Sequence, residues 1–343
     1  MFIGDMLKGN TLFAGDCFVS ESVIISVPAR LNISAYNMDA IVLNKLGGGG
    51  IGLAIKLYTT ISIAVNNEQQ HNISGNHSKI AKVYIDYLTE KFNISKKLNV
   101  HIEQPLKPHT GLATSSAVAV GIIYCFNKLF SLNLSYKDII FLHSSKIMEE
   151  HNNLLNESVL TGVSSWAMCL GGMVIVDDDG SLINQYKIKE CNDYSVLIVT
   201  PKKIMRNTLE DEIHLLKGNG TAFDLRDKNE KKTLFLKIEE CFDNNNQKAG
   251  LKFMNKLLST GSKIAELEYQ NHKYNGLISE LLLFGKENKI LTMGMSAIGP
   301  SVFFIDSNDV INELLNNLVD NFEHIDVTKT AIHNDGVSAK KGH

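Results

Sequence analysis

The chain has 343 residues, of which 44% are hydrophobic and 21% are charged, and its formal net charge is −3. This length is enough for one large globular domain or two ordinary ones, and the composition can fill a hydrophobic core. The nearly neutral charge offers no basic surface for nucleic acid or for an anionic membrane, so neither is expected as a partner.

Cysteine usage and the N-terminal sequence bear on the cellular compartment. Five cysteines are scattered along the chain without a closely spaced pair: Cys17, Cys125, Cys169, Cys191 and Cys241. This pattern predicts neither a disulfide framework nor a zinc site. The first sixteen residues lack the basic segment and apolar run of a signal peptide, and no apolar run reaches the roughly 18 residues of a membrane span. We therefore expect a cytoplasmic protein.

The first half of the chain favours strands followed by buried helices. The predicted strands are Val23–Ala29, Gly52–Ile63 and Leu98–Ile102. From Ser115 to Phe130 the sequence is apolar on nearly every side, which predicts a buried helix. A further helix is predicted to begin at Asp138 and reach Ile147, with Ser135 as its cap.

The second half also mixes the two kinds of element. The predicted strands are Gly171–Asp177, Tyr194–Pro201, Leu291–Gly294 and Ser301–Asp306. The predicted helices are Leu209–Lys217, Lys231–Leu258, Asn271–Phe284 and Asp309–Phe322. Because strands and helices alternate without a regular βαβ pattern, the predicted fold class is α+β.

A glycine and several small hydroxyl residues run directly into the first buried helix, as Gly111-Leu-Ala-Thr-Ser-Ser-Ala117. The first N–H groups of a helix have no partner within the helix, and the helix dipole places partial positive charge there. Such a start binds anions and suits phosphate or pyrophosphate. The predicted phosphate-binding residues are Gly111, Leu112, Ala113, Thr114, Ser115 and Ser116. The alternative for the same residues is an ordinary capped helix N-terminus.

Two more segments rich in small residues add candidate substrate-binding positions. The run Gly47–Gly50 is costly in conformational entropy, so it serves either close backbone approach to a ligand or a flexible connection. The sequence of Gly294–Val302 predicts a small-residue turn. This turn either contacts the predicted phosphate-binding loop at residues 111–116, called the phosphate loop below, or forms a tight hairpin. The substrate-binding candidates are Asn32, Gly48, Gly49, Gly50, Ser296 and Gly299.

Three segments resemble, in order and spacing, the motifs of the GHMP kinase superfamily. They are Pro28-Ala-Arg30, the stretch from Pro108 to Ala117, which is similar to P-x-x-x-G-L-G-S-S-A, and the stretch from Gly294 to Val302. In the second motif an alanine replaces the usual glycine and a threonine replaces the first serine. The resemblance covers nearly the whole chain.

The resemblance implies a GHMP-kinase fold of two domains with a phosphate site in the cleft between them. It implies a left-handed βαβ element in an N-terminal domain over residues 1–185 and a ferredoxin-like C-terminal domain over residues 186–343. A homodimer is common for this fold. Mg²⁺ is the implied cofactor, with Ser115 and Glu149 as candidate ligands; a solvated helix face is the alternative for Glu149.

The catalytic aspartate that family kinases usually carry has no counterpart in this sequence. Aligned on Gly171-Gly172, that position is Ser164, and a serine cannot act as the base at neutral pH. Some family kinases manage without this aspartate, so the substitution counts against an ordinary kinase without excluding one.

Several segments look like beta-ribofuranosylaminobenzene 5'-phosphate synthase and the related enzymes that build formycin-type C-nucleosides. They are Gly48–Ala54, Pro108–Leu112, Thr161–Asp177 and Ser296–Val302. This resemblance implies C-ribosyl transfer from phosphoribosyl pyrophosphate to an aromatic or heteroaromatic carboxylic acid, with release of pyrophosphate and carbon dioxide. The alternative is an ATP-dependent kinase acting on a small-molecule hydroxyl, which the GLATSSA loop favours.

The candidate catalytic residues are His109, Arg30 and Ser164. Arg30 could bind a substrate carboxylate through two donors, or it could form a surface ion pair. His109 could donate to a phosphate, or it could be a solvated loop residue. Trp166 could stack on a ring substrate, with core packing as its alternative.

Overall fold

A computed structural model describes residues 21–35, 48–144, 147–148, 154–155, 162–189, 192–205 and 225–340. Its strands are β1 (Ser22–Ala35), β2 (Gly50–Asn66), β3 (Asn72–Gly75), β4 (Lys97–Glu103), β5 (Ile147–Met148), β6 (Leu154–Leu155), β7 (Met173–Val176), β8 (Leu182–Tyr186), β9 (Tyr194–Pro201), β10 (Thr292–Met295), β11 (Val302–Ser307), β12 (Ile325–Ala331) and β13 (Ser338–Lys340). Its α-helices are α1 (Ser78–Lys91), α2 (Thr114–Leu129), α3 (Tyr136–Ser144), α4 (Val163–Leu170), α5 (Leu225–Asp243), α6 (Gln247–Met254), α7 (Gly261–Lys273), α8 (Leu277–Glu287) and α9 (Asn308–Asn321), and a 3₁₀ helix spans Asn255–Ser259.

The first sheet is built around the long antiparallel pair β1 and β2. Its strand order is β13-β1-β2-β4-β3, and β7 joins β2 and carries β8 beyond it. Helices α2 and α4 lie on β1 and β2, and α1 and α3 pack beside α2. The all-round apolar sequence of α2 is thereby explained, because the sheet covers one side of the helix and three helices cover the others.

A shift in the register between β1 and β2 changes which side chains of β1 face the helices. Val23, Ile25 and Val27 belong to the core between the first sheet and its helices. The register then shifts between Pro28 and Ala29. After the shift, the same alternation puts Ala29 and its odd-numbered successors into a second core, which lies between the two sheets. The even-numbered residues beyond the shift, beginning with Arg30, therefore turn toward the helix side.

The second sheet is antiparallel, with the order β10-β11-β9-β12. One face packs against α8 and α9. The other face meets α5, α6 and the inner residues of the first sheet in the core shared by the two domains. The layered arrangement of helices and mostly antiparallel strands agrees with the predicted α+β class.

The C-terminal segment returns to the first sheet, which the predicted division at residues 185 and 186 does not account for. β13 pairs with β1 in antiparallel register. Between β12 and β13, the His333 carbonyl oxygen accepts from the Gly172 amide at 2.7 Å, and the Val337 amide donates to the Met168 carbonyl at 2.7 Å. Residues after β12 therefore belong structurally with the N-terminal domain.

Two predicted long helices are broken by asparagine and glycine. The predicted helix 231–258 ends at Asp243, and α6 begins with Asn246 as its N-cap, whose side chain accepts from the Ala249 amide. The predicted helix 271–284 is interrupted at Asn275 and Gly276, which have φ angles of 51° and 87°. Both residue types accept the left-handed conformation that ends a helix, so the apolar pattern alone was a poor guide here.

Other predicted elements shift in smaller ways. Ser135 caps α3 as predicted, since its hydroxyl accepts from the Asp138 amide at 3.3 Å and the Asp138 carboxylate accepts from the Ser135 amide at 2.8 Å. The helix ends at Ser144, however, and Ile147 lies in the short strand β5 instead. The predicted helix Leu209–Lys217 lies outside the described residues. The polar sequences of α1 and β12 gave no prediction of either element. Within the described part of the chain, no helix is both long and apolar enough to cross a membrane.

A buried histidine joins α3 to α4. His143 is 3% exposed, and its Nδ1 forms a hydrogen bond with the Ser165 hydroxyl. The Tyr84 hydroxyl donates to the His143 carbonyl at 3.2 Å. Burial lowers the pKa of His143 to about 4, because the protonated ring would be charged in an apolar surrounding.

Because the pKa of His143 is lowered, the protein is expected to lose stability as the pH falls below 6.5, the ordinary pKa of histidine. Between pH 6.5 and about 4 the unfolded chain binds a proton on His143 that the folded chain does not. The free energy of unfolding should therefore fall by up to about 1.4 kcal/mol per pH unit in this window and be unaffected by this group above it. Urea denaturation at pH 7.5, 6 and 5 measures the slope. The slope should be shallower in His143→Gln, and an equal slope in both proteins would contradict the assignment.

Candidate functional site

The loop before α2 contains several backbone amides with no acceptor among the described residues. Gly111 and Ala113 have positive φ angles of 80° and 58°. Ala113 is the N-cap, and the first helical hydrogen bond runs from the Ala117 amide to the Ala113 carbonyl at 3.0 Å. Among the described residues, no acceptor lies on the amides of residues 111 to 116. These donors, together with the helix dipole, can bind an anion.

Both domains hold this loop by the carbonyl oxygen of Gly111. Arg30 Nη1 donates to it from β1 at 2.9 Å, and the Ser296 hydroxyl donates to it from the second domain at 2.8 Å. The Ser301 amide also donates to the Thr110 carbonyl at 3.3 Å. Because a trans peptide points its C=O and N–H in opposite directions, donors on the Gly111 carbonyl aim the Leu112 amide away from them.

Gly111 is required by its neighbours in the protein. A Cβ at this position would lie 2.2 Å from the Ser296 carbonyl oxygen and 3.1 Å from that of Gly299. The turn after β10 therefore lies directly against the loop. Of the two alternatives for Gly294–Val302, the structure shows contact with the loop, made by a turn that also joins β10 to β11.

Arg30 and Ser164 are brought together although both come from distant parts of the chain. Arg30 is 7% exposed, and its Nε donates to the Ser164 hydroxyl in the first turn of α4 at 2.8 Å. Two donors of the guanidinium are thus engaged inside the protein. Arg30 is not a surface residue, so a surface ion pair is excluded for it. Its binding of a substrate carboxylate stays a prediction.

Asn32 lies next to Arg30 on the same strand and contacts the turn of the second domain. Its amide donates to the Ser296 hydroxyl at 3.1 Å, and its carbonyl accepts from Ala297 at 3.0 Å. Its side-chain Oδ1 is buried, and no hydrogen-bond partner for it is found in the described part of the chain. A buried acceptor without a donor is costly, so this atom is a candidate contact for a donor group of a ligand.

The glycine run is explained by packing against protein backbone. A Cβ on Gly49 would lie 2.2 Å from the Val176 carbonyl oxygen, and one on Gly50 would lie 2.1 Å from that of Ser34. The Gly48 amide donates to the Asp178 carbonyl at 2.8 Å. Neither a ligand nor a flexible connection is needed to account for these glycines. Their role in substrate binding stays a prediction.

The remaining candidate residues differ in how far their side chains are exposed to solvent. Ser115 is exposed on the first turn of α2, and Ser116 is half-buried beside it. His109 is half-buried in the turn before the loop, with a φ of 60°. Trp166 is 6% exposed and donates to the Gly180 carbonyl at 3.0 Å, so it packs in the core of the first domain. Core packing is thus the correct alternative for Trp166.

Glu149 lies outside the described residues, so its proposed contact with Mg²⁺ stays a prediction. Within the described ranges, no cluster of three or more histidine, cysteine, aspartate or glutamate side chains could hold a metal ion. Ser115 is the described candidate ligand nearest the anion-binding amides.

Two residues of α7 that were not predicted as site residues form hydrogen bonds with the turn after β10. Lys263 and Gln270 of α7 donate to the carbonyls of Ala297 and Ile298, at 2.8 Å and 2.5 Å. A lysine seven residues before a glutamine on an amphipathic helix is typical of a solvated face, so the sequence carried no signal for them.

Part of this sequence matches known proteins. Residues 79–153 match the family model of the GHMP kinases N-terminal domain. The chain is 35% identical over 81 residues to a homoserine kinase of Methanococcus maripaludis. That match covers 23% of this chain and 27% of the relative, so it spans about a quarter of that protein.

Solved structures resemble the chain over most of its length. The structure of homoserine kinase from Cytophaga hutchinsonii has a TM-score of 0.68 and 14% identity, covering 94% of this chain and 98% of that one. A mevalonate diphosphate decarboxylase from Enterococcus faecalis, described with its ATP binding, has a TM-score of 0.60 and 13% identity, covering 94% and 99%. These relatives give no support to a particular closeness to beta-ribofuranosylaminobenzene 5'-phosphate synthase. The chain thus has the GHMP-kinase fold, and its residues 79–153 match the N-terminal domain of that superfamily.

Proposed function

We propose that the chain is an ATP-dependent kinase that phosphorylates a hydroxyl group of a small molecule. The observation that carries this proposal is the row of amides from residue 111 to 116, for which the described chain provides no acceptor. A polyphosphate has the charge and the acceptor oxygens that such a row can bind. The similarity to homoserine kinases supports a kinase, and the structural neighbour described with its ATP binding supports ATP as the phosphate source.

The missing aspartate is compatible with phosphoryl transfer. In this reaction the bond between the terminal phosphorus and its bridging oxygen breaks, and a bond to the acceptor hydroxyl forms. Positioning and charge stabilisation supply most of the catalysis, and little acid–base work is required. In the proposed mechanism the loop amides bind the phosphate oxygens where negative charge develops, and the acceptor proton leaves to a phosphate oxygen or water. The Ser164 hydroxyl, which accepts from Arg30, is not assigned as a base.

Mg²⁺ is proposed as the companion of ATP. When bound, it would neutralise charge on the phosphate oxygens. Ser115 is the candidate protein ligand, because its hydroxyl is exposed on the first turn of α2 beside the loop amides. Among the described residues, Ser115 therefore has the position from which a hydroxyl could bind either the cation or a phosphate oxygen.

C-ribosyl transfer from phosphoribosyl pyrophosphate is retained as the second candidate. The observation that favours it is Ser164, which occupies the position of the usual catalytic aspartate and is bonded to Arg30. The same amides would then bind the departing pyrophosphate. An aromatic acid would be the second substrate, losing carbon dioxide as the carbon–carbon bond to the sugar forms.

One pair of assays distinguishes the two candidates. The protein is incubated with Mg²⁺ and ATP plus a panel of small hydroxyl compounds that includes L-homoserine, and separately with Mg²⁺, phosphoribosyl pyrophosphate and aromatic acids. We expect ADP formation that depends on one of the hydroxyl compounds. Release of pyrophosphate and carbon dioxide in the second assay, without ADP in the first, would replace the kinase with the ribosyltransferase. If neither compound raises the melting temperature, both candidates are excluded.

Ser115→Ala is expected to weaken ATP binding about ten- to hundredfold, because a hydrogen bond to a charged group contributes about 1.5–3 kcal/mol. Isothermal titration with ATP and Mg²⁺ measures the change. Ser279→Ala is the matched control, since Ser279 is an exposed serine on α8 in the other domain. Equal affinities in the two variants would remove the Ser115 hydroxyl from the site.

A further inference from the structure

Helix α7 lies behind the turn that contacts the phosphate loop. Lys263 Nζ donates to the Ala297 carbonyl at 2.8 Å, and Gln270 Nε2 donates to the Ile298 carbonyl at 2.5 Å. The two side chains are 2% and 0% exposed. Because they are seven residues apart, they lie on one face of the helix, two turns from each other. One helix face therefore binds two consecutive carbonyls of the turn.

The opposite side of the same turn faces the site. The Ser296 hydroxyl donates to the Gly111 carbonyl, and the Ala297 amide donates to the Asn32 carbonyl at 3.0 Å. The turn is thus fixed between α7 on one side and the loop and β1 on the other. Any displacement of the turn from α7 would change the position of the Ser296 hydroxyl and, with it, the Gly111 peptide.

The turn adopts a conformation that has to be held. Ala297 has a φ of 50° and Gly299 a φ of 77°. A residue with a Cβ is disfavoured in this left-handed region and persists there only where the surrounding contacts compensate. The bonds from α7 to the Ala297 and Ile298 carbonyls are such contacts.

The charge on Lys263 is also buried. Its Nζ lies 2.7 Å from Glu266 Oε2, and both side chains are almost fully enclosed. A buried ion pair is often no more stabilising than a pair of well-packed apolar residues, so stability alone is a weak reason for one. The lysine has three donors, and in addition to the pair it makes the bond to the Ala297 carbonyl. Through that bond the ion pair contacts the same turn whose Ser296 hydroxyl donates to the Gly111 carbonyl.

We propose that Lys263 and Gln270 are positioning residues that keep the phosphate loop in its anion-binding conformation through the turn Ser296–Gly299. Neither side chain is placed in contact with a substrate. They act through the Ser296 hydroxyl on the Gly111 carbonyl, and so they set where the loop amides point. The effect on ATP rests on the proposed function, whereas the effect on the loop itself does not.

The test uses two variants that remove the donors and keep the packing. Lys263→Met/Glu266→Met replaces the ion pair by apolar side chains and leaves neither charge of that pair behind. Gln270→Leu removes the second donor. The control is Lys82→Met/Asp86→Met, which deletes an exposed ion pair of the same 2.7 Å length on α1. Melting temperature, affinity for a non-hydrolysable ATP analogue with Mg²⁺, and hydrogen exchange of a peptide covering residues 107–117 are measured on each protein.

Both positioning variants are expected to melt within a few degrees of the unmodified protein, to bind the analogue about tenfold more weakly or worse, and to exchange the loop amides faster. The control should match the unmodified protein in all three measurements. Unchanged affinity and unchanged loop exchange in both variants would overturn the proposal. If the double variant does not fold, Gln270→Leu decides the outcome alone. If the unmodified protein does not bind the analogue, the proposed function fails while the exchange measurement still tests the positioning role.

Discussion

Gly111→Ala is expected to abolish measurable ATP binding, with a loss of at least about hundredfold in affinity. Gly111 has a φ of 80°, and its Cβ would lie 2.2 Å from the Ser296 carbonyl oxygen. That oxygen belongs to the backbone and cannot move without the turn, so the loop and the turn must separate. Separation removes the Ser296 hydroxyl from the Gly111 carbonyl and turns the following amides away from the anion. Displacement of a binding group by about 1 Å is enough for a loss of this size.

A second glycine provides the control for backbone strain. Gly276 has a similar φ of 87°, but a Cβ there would meet nothing closer than Glu280 Oε1 at 3.9 Å. Gly276→Ala should therefore lose about 1–2 kcal/mol of stability through strain alone and bind ATP normally. Calorimetric titration and urea denaturation on both variants separate the two effects. Native affinity in folded Gly111→Ala would mean that ATP does not bind at this loop.

Arg30→Met is expected to reduce kcat/KM by about two orders of magnitude. The substitution keeps most of the length of the side chain but removes the donors to the Gly111 carbonyl and the Ser164 hydroxyl. The Ser164 hydroxyl is buried, and leaving a buried acceptor unsatisfied costs about 1–3 kcal/mol. The Gly111 carbonyl keeps only the Ser296 hydroxyl as a side-chain donor. The loop would then be held by the second domain alone. Steady-state kinetics on the identified substrate, with ATP varied, measures the loss.

Ser164→Ala distinguishes the effects of the two hydrogen bonds that Arg30 donates. It removes the hydroxyl that accepts from Nε and leaves the bond from Nη1 to Gly111 in place. If Ser164 takes no part in proton transfer, turnover should stay within about threefold of the unmodified protein, because the loop is still held. A loss in Ser164→Ala as large as that in Arg30→Met would instead give the serine a direct role in the reaction.

The helix start at residues 113 and 114 was predictable because its signal is local. A glycine and small residues directly before an apolar helix define a helix N-terminus whatever the rest of the chain does. The all-round apolar pattern of α2 likewise indicated burial on every side, and the structure confirms it. Ala113 kept this conformation without the usual glycine, at a φ of 58°. The α+β class followed from the alternation of strands and helices. The GHMP-kinase fold was implied by the resemblance of three segments, in order, to the motifs of that superfamily.

The contacts that build the site were decided only by the tertiary structure. Arg30 and Ser164 are 134 residues apart in sequence, and Gly111 and Ser296 are 185 apart. Arg30 faces the helices after a register shift between β1 and β2, and strand alternation read from the sequence does not reveal a shifted register. The sequence determined by itself where a helix could receive an anion, because helix starts depend on neighbouring residues. Which side chains hold that start in place depends on how distant strands and turns pack, and no local pattern carries that information.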